Sequence, residues 1–178
     1  MNRLVYFVPL VLLLVIGGFA WFGLGKDPAK LPSMLIDRQV PEFDLAQIEG
    51  YDTPGFASAD LKGQVTLVNI FGSWCIACIQ EHPFLMRLKT DNVIPIYGID
   101  WRDKPDDAKR WLGRHGDPYH RIGFDGDSKV AISFGVTGAP ESFIVDKQGV
   151  VRFKYIGPLE PTVWNETLLP IIEELRAQ

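Results

Sequence analysis

The sequence predicts an α/β domain in which a central mixed β-sheet is flanked by helices. Between residues 65 and 115, β-rich apolar segments alternate with helical segments, the order in which crossover helices connect parallel strands. Two later strand-like segments, joined by a tight turn and followed by a terminal helix, add an antiparallel hairpin. The 178 residues, 47% hydrophobic and 22% charged, suffice for one such domain and exclude a disordered chain.

The first strand and helix of this alternation carry the clearest patterns. Val65–Phe71 is a nearly continuous apolar run between Gly63 and Gly72, which is typical of a strand covered on both faces. We therefore expect this strand near the centre of the sheet. From Cys75 to about Leu88, apolar residues recur at helical spacing, and the sequence predicts a helix that Pro83 kinks.

The remaining elements are predicted from periodicity and turn residues. Pro105 marks the first turn of a helix, and Asp146–Gly149 forms the turn of the hairpin. In chain order, the predictions are an entry strand at Pro41–Leu45, a buried strand at Val93–Ile99, a helix at Asp103–His115, a short helix at Ser128–Phe134, hairpin strands at Ser142–Val145 and Val150–Ile156, and a terminal helix from about Pro161 to Leu175.

The N-terminus carries a long apolar segment. Leu4–Gly25 comprises 22 consecutive uncharged residues, and a helix of that length reaches about 33 Å and spans a bilayer. We expect an N-terminal transmembrane helix, with Arg3 on the cytoplasmic side. A cleaved signal peptide ending near Gly18 or Ala20 is the alternative. Both interpretations export the rest of the chain.

The exported part divides into a linker and one domain. Residues 26–40 contain Pro28 and Pro32 and are predicted to be a linker, which leaves residues 41–178 for the folded domain. The chain has a net charge of −4, so the basic surface of a general nucleic-acid binder is missing. We expect no nucleic-acid partner.

The two cysteines, Cys75 and Cys78, form a Cys-X-X-Cys pair between a predicted strand and a predicted helix. Unpaired N–H groups and the helix dipole favour negative charge at that position, and the first thiol of such pairs has a pKa of about 3.5–7.5. We expect Cys75 to be the nucleophile. Cys78, almost one helical turn later, is the resolving thiol that breaks the mixed disulfide with a substrate.

A structural disulfide and a zinc site both fit the cysteine pair less well than a redox role. A structural disulfide across so short a loop contributes at most about 2 kcal/mol. A zinc site would have to recruit His82, or His115 and His120, but 36 residues separate Cys78 from His115, where a zinc finger has about a dozen. We therefore expect no metal and no cofactor besides the redox-active disulfide, and interpret the three histidines as surface or capping residues.

Several motifs resemble a known family. Trp74 precedes the cysteines, and Pro140 precedes the hairpin, as in the thioredoxin fold. The motifs that carry a narrower resemblance are Trp74-Cys75-Ile76-Ala77-Cys78, Glu81-His82, Phe124-Asp125-Gly126-Asp127, Gly135-Val136-Thr137-Gly138-Ala139-Pro140-Glu141 and Tyr155-Ile156-Gly157-Pro158-Leu159. Together with the apolar N-terminus, they are similar to the CcmG/DsbE proteins, the membrane-anchored thiol:disulfide interchange proteins of cytochrome c maturation.

The resemblance implies a function, partners and a location. It implies that Cys75 reduces a disulfide of apocytochrome c, or of a maturation partner, so that two thiols become available for haem attachment. A membrane electron donor of the DsbD or CcdA type would then re-reduce the Cys75–Cys78 disulfide. The catalytic domain would lie in the periplasm, tethered to the bacterial inner membrane. The resemblance also implies that Pro140 is cis and packs beside the disulfide.

The chain departs from thioredoxin at a residue that matters for proton transfer. Asn69 stands where thioredoxin has a buried aspartate, and an asparagine cannot titrate. Glu81 and Glu141 are our candidates for a carboxylate that opposes thiolate formation and relays protons. We expect Trp74 to offer an apolar platform beside Cys75. We expect a cis Pro140 to remove a backbone donor and to bring a carbonyl beside the disulfide, where an extended substrate can pair with the sheet edge.

The sequence leaves the direction of electron flow open. A general periplasmic thiol reductase or oxidant of the thioredoxin family fits the same residues. A tethered binding module with incidental cysteines is a third hypothesis, from a different functional class.

Overall fold

The computed structural model describes residues 8–24 and 35–178 and divides the chain into two units, residues 1–31 and 32–178. In the first unit, Val8–Leu24 forms helix α1, with seventeen residues. Among the described residues, no helix is both long and apolar enough to qualify as a membrane span. The ends of the predicted transmembrane segment, residues 4–7 and Gly25, lie outside the described residues, as does the predicted linker up to residue 34.

The second unit contains a six-stranded mixed sheet and a two-stranded sheet. The strands are β1 Arg38–Gln39, β2 Asp44–Leu45, β3 Phe56–Ala57, β4 Thr66–Phe71, β5 Ile96–Trp101, β6 Arg121–Asp125, β7 Glu141–Val145 and β8 Val150–Ile156. The larger sheet has the order β1-β8-β7-β4-β5-β6, with β4, β5 and β6 parallel and the other neighbours antiparallel. The smaller sheet pairs β2 with β3.

The helices lie between and after these strands. They are α2 Ile76–Thr90, α3 Pro105–His115, α4 Lys129–Ser133, α5 Pro161–Val163 and α6 Leu169–Ala177, with a 3-10 turn at Ser58–Leu61 and a π-helical turn at Trp164–Leu168. Helix α5, the π-helical turn and α6 follow one another without a break from Pro161 to Ala177. They nearly match the single terminal helix that the sequence predicts. Pro83 lies inside α2.

Strand β4 separates two hydrophobic cores because its side chains alternate between the faces of the sheet. Leu67 and Phe71 belong to the first core, which α2, α3 and α6 cover. Val68 and Ile70 belong to the second core, which includes residues of α4, β2 and β3. All six residues of β4 are buried, which confirms the prediction of a central strand covered on both faces.

Strands β1, β3 and β6 were not expected from the sequence. Arg38 and Gln39, inside the predicted linker, form β1 by pairing with β8. In the predicted entry strand, only Asp44 and Leu45 pair, and their partner is β3. Strand β6 is parallel to β5 at the far edge of the sheet. These short elements depend on pairing with distant residues, so local periodicity does not reveal them.

Candidate active site

The cysteine pair lies where β4 passes into α2. The chain turns after Phe71, with the Cys75 amide donating to the Gly72 carbonyl at 3.0 Å. Cys75 is the N-cap of α2, and its Sγ accepts a hydrogen bond from the Cys78 amide at 3.0 Å. The two cysteines form a disulfide. The first turn of α2 contains no acidic residue, so the positive end of the helix dipole is available to stabilise a thiolate.

Exposed apolar side chains surround a buried disulfide. Cys75 and Cys78 are 4% and 1% exposed, whereas the neighbouring Trp74, Ile76 and Ile79 are 49%, 79% and 40% exposed. The indole N–H of Trp74 donates to the Trp101 carbonyl at 2.9 Å, which fixes the ring. Exposed apolar groups next to a reactive pair provide a surface for a polypeptide partner. The role of Trp74 as a platform remains a prediction.

Asn69 lies at the centre of a buried polar network in the first core. Its amide group donates to Glu81 Oε1 at 2.8 Å and to Ser142 Oγ at 3.1 Å. Its carbonyl oxygen accepts a hydrogen bond from the Tyr119 hydroxyl at 2.9 Å. Asn69 therefore joins α2 to β7 and to the loop before β6, and it holds the Glu81 carboxylate in place without titrating itself.

Glu81 is a buried carboxyl group one helical turn after Cys78. Its Oε2 accepts a hydrogen bond from the Leu159 amide at 2.8 Å, and the residue is 1% exposed. Burial raises the pKa of Glu81 to about 7, against the hydrogen bonds from Leu159 and Asn69, which lower it. A group with a pKa near neutrality can both hold and release a proton under physiological conditions.

Glu141 faces the other side of the sheet. Ser142 contributes to the Asn69 network, so the preceding Glu141 points toward the second core. There its carboxylate accepts hydrogen bonds from the Thr137 and Gly138 amides and pairs with Lys154 at 2.9 Å. The structure does not bring Glu141 together with Glu81 and the cysteines. Its contacts hold the loop that leads into Pro140, and proton relay by this side chain has no support in its position.

The Ala139–Pro140 peptide bond is cis, as the resemblance implies. Pro140 directly precedes β7, whose Glu141 is in register with Ile70 of β4, so the proline lies near the end of β4 from which the cysteine loop departs. The Pro140 carbonyl accepts a hydrogen bond from the Gly157 amide at 2.9 Å. The Pro140 carbonyl is thus engaged by the residue that follows β8, and the pairing of a nearby carbonyl with a substrate stays a prediction.

Two aspartates near the cysteine loop were not predicted from the sequence. Both Asp103 oxygens contact Ser73, one through the amide and one through the hydroxyl, and they tie the loop before Cys75 to the end of β5. Asp100, in register with Phe71, is fully buried; no N–H or O–H group of the other described residues donates to its oxygens, and its side-chain neighbour is the carboxyl group of Asp103. Burial, reinforced by the neighbouring Asp103, raises the pKa of Asp100 to about 9.

Topology is the signal that could have found these aspartates. Parallel neighbouring strands end at the same edge of a sheet, so the carboxyl end of β5 lies beside the start of the cysteine loop. The strand predicted at Val93–Ile99 ends one residue before Asp100, so it leaves out the last buried residue of β5.

The comparisons with known proteins agree with this geometry. The Redoxin family matches residues 36–168. The thiol:disulfide interchange protein DsbE of Allochromatium vinosum is 42% identical over 166 residues, covering 93% of this chain and 91% of the relative. DsbE of Pseudomonas aeruginosa is 39% identical over 175 residues, covering 98% and 96%. The chain belongs to the Redoxin family and, within it, to the DsbE proteins.

A solved structure supports the fold of this DsbE family member. The crystal structure of a thiol:disulfide interchange protein DsbE from Chlorobium tepidum superposes with a TM-score of 0.67 at 23% identity, covering 82% of this chain and 99% of the other. The family and the fold confirm that the protein is a thioredoxin-like thiol:disulfide oxidoreductase. They also remove the hypothesis of a binding module with incidental cysteines.

The histidine of the Glu81-His82 motif is part of the core of this DsbE domain. His82 is 2% exposed and packs edge-on against Trp111, with ring centroids 4.5 Å apart. Its Nε2 lies 2.9 Å from the Gly116 carbonyl, which requires that Nε2 donates. Burial lowers the pKa of His82. His82 is therefore not a surface residue, because helical spacing from Cys78 turns it inward, but it does bond the C-cap residue of α3, Gly116.

Proposed function

We propose that this DsbE family member is a periplasmic reductase that reduces disulfides of apocytochrome c, or of a maturation partner, and so allows haem attachment. The observation that carries the proposal is the Cys75–Cys78 disulfide at the N-terminus of α2, next to exposed Trp74, Ile76 and Ile79. The sequence motifs shared with CcmG/DsbE proteins support the cytochrome c assignment.

The reaction moves two electrons from the cysteine pair to the substrate. The Cys75 thiolate attacks one sulfur of the substrate disulfide, and the other substrate sulfur leaves as a thiolate that takes up a proton. Cys78 then loses its proton and attacks the Cys75 sulfur of the mixed disulfide, which releases the second substrate thiolate. Glu81, one turn after Cys78 and with a pKa of about 7, is the group that we assign to receive the Cys78 proton.

The proposal includes a membrane location and an electron donor. The apolar segment from Leu4 to Gly25 would anchor the chain in the bacterial inner membrane, with residues 41–178 in the periplasm. A membrane electron donor of the DsbD or CcdA type would attack the Cys75–Cys78 disulfide and return it to the dithiol. This step restores the nucleophile, because disulfide formation in the substrate reaction consumes both thiols.

Trapping with the Cys78→Ala variant tests the proposal. Without the resolving thiol, mixed disulfides through Cys75 accumulate and can be identified by mass spectrometry after capture from a bacterium that produces c-type cytochromes. We expect apocytochrome c or a maturation protein among the captured partners. The Cys75→Ala/Cys78→Ala variant is the control and should capture neither.

The captured partners distinguish a specialised reductase from a general thiol:disulfide oxidoreductase. Capture of many unrelated periplasmic proteins, with no apocytochrome c or maturation protein among them, would contradict the specialised role and leave a general thiol:disulfide oxidoreductase. A strongly oxidising reduction potential of about −120 mV, as for DsbA, would contradict the proposal that the protein reduces its substrate.

A further inference from the structure

A cleft of about 290 Å³ opens between Trp74 and Arg102. Trp74 directly precedes Cys75, so the cleft lies beside the reactive disulfide. Arg102 follows the last residue of β5, at the same edge of the sheet as the cysteine loop. It belongs neither to the motifs of the family resemblance nor to the groups that exchange electrons and protons with the substrate. It places a positive charge at one wall of a cleft whose other wall is a half-exposed indole.

The guanidinium of Arg102 is held by an aromatic ring and not by an acid. Its central carbon lies 5.7 Å from the centroid of the Trp101 ring, and that ring packs edge-on against Trp74, with centroids 5.7 Å apart. Within residues 8–24 and 35–178, Arg102 has no carboxylate partner. Stacking on an aromatic face orients the planar group while its N–H donors stay available for a ligand.

The nearest acidic residue in the sequence is already engaged. Asp103 binds the Ser73 amide and hydroxyl and also accepts a hydrogen bond from the Lys104 amide. Its two oxygens therefore face the loop before Cys75. Arg102 is exposed, and its charge is not neutralised by the residue that follows it.

The backbone at Arg102 has an unfavourable conformation. Its φ is +53°, in the left-handed region that a residue with a Cβ adopts at a cost. The Arg102 amide donates to the Asp125 carbonyl at 3.2 Å, which fixes this turn to the end of β6. Such conformations persist where the surrounding structure enforces them, and they concentrate at ligand sites.

We propose that Trp74 and Arg102 form a substrate subsite that binds a carboxylate of the polypeptide whose disulfide Cys75 attacks. The fork of guanidinium N–H groups matches the two oxygens of a carboxylate. An extended chain advances about 3.4 Å per residue, so an Asp or Glu within a few residues of the attacked cysteine can reach the cleft. This inference rests on the proposed reduction of a polypeptide disulfide and adds a preference for acidic flanking residues.

Two disulfide peptides that differ only in one side chain near the cysteine, Asp in one and Asn in the other, test the subsite. We expect the full-length reduced protein to reduce the Asp peptide with a kcat/KM up to about fivefold higher, the upper range for one exposed ionic contact. Arg102→Gln should bring this ratio to about one. Arg114→Gln is the matched control, because it also removes one exposed positive charge, from the last turn of α3. Arg114 lies about 14 Å along the helix from Pro105, the first residue of α3. This variant should leave the ratio unchanged.

Three results would overturn the subsite. These are equal rates for the two peptides in the unmodified protein, a loss of the same factor for both peptides in Arg102→Gln, or an equal change of the ratio in Arg114→Gln. The preference should also shrink in about 0.5 M salt, because screening weakens an exposed ionic contact. Since the peptides carry no cytochrome sequence, failure of the trapping experiment would not affect this result.

Discussion

Glu81 is the buried carboxyl group that follows Cys78 by one helical turn. It is buried, and its carboxyl group binds Asn69 and Leu159 through separate oxygens. Asn69 could be located from its spacing to Cys75, and Glu81 from its helical spacing to Cys78. Their hydrogen-bond partners could not, because Tyr119 and Leu159 come from segments that only the folded chain brings together.

We predict that Glu81→Gln makes the Cys75 thiolate persist to lower pH. Since the pKa of Glu81 is raised to about 7, part of the population carries a negative charge at neutral pH, and a nearby negative charge opposes thiolate formation. The ultraviolet absorbance of the thiolate, followed across pH in the reduced protein, measures the effect. Glu174→Gln, at an exposed position of α6, is the control. An unchanged titration of Cys75 in Glu81→Gln would contradict the prediction.

Asp100 predicts a pH dependence of stability. The folded protein holds the Asp100 proton up to about pH 9, whereas the unfolded chain releases it near pH 3.8. Between these values the folded state binds more protons, so the free energy of unfolding falls as pH rises, by at most about 1.4 kcal/mol per pH unit. We expect Asp100→Asn to gain stability relative to the unmodified protein between pH 5 and about 8, measured by urea unfolding. If the free energies of unfolding of Asp100→Asn and the unmodified protein differed by the same amount at every pH in that range, this assignment would be contradicted.

At the scale of elements, the sequence predicted those with a strong local pattern. The apolar run 65–71 corresponds to β4, and the hairpin is closed by Asp146, whose Oδ1 accepts hydrogen bonds from the Gln148 and Val150 amides. Strand β6 could not be predicted in this way, because Gly123 interrupts its apolar pattern. A Cβ on Gly123 would meet Leu45 at 2.6 Å, so this glycine permits a contact that is distant in sequence.

A buried ion pair links the first residue of β7 to β8. Glu141 and Lys154 are 0% and 5% exposed in their side chains, and breaking such a pair leaves an uncompensated charge. We predict that Lys154→Met lowers the free energy of unfolding by about 3 kcal/mol, measured in urea. Lys129→Met removes an ion pair with side chains 83% and 59% exposed and should cost less than about 1 kcal/mol. If the two substitutions lowered the free energy of unfolding equally, the Glu141–Lys154 pair would not be what holds β7.

At the scale of the whole molecule, the redox potential and the stability are linked. The reduced form of a strongly oxidising protein is the more stable form. If this DsbE family member is a reductase, the oxidised protein should unfold at a higher urea concentration than the reduced protein, with about 30 mV of potential for each 1.4 kcal/mol of difference. The Cys75→Ala/Cys78→Ala variant should show no dependence on the redox state. A more stable reduced form would contradict the reducing direction.

The hydrogen bond from the Cys78 amide to Cys75 Sγ, 3.0 Å long, also bears on how long a partner remains attached. It holds the start of α2 so that the resolving residue stays next to the sulfur it attacks. Well-oriented internal groups react as if present at about 10⁵ M or more, far above any external thiol. The lifetime of the mixed disulfide between a partner and Cys75 is therefore set within the first turn of one helix.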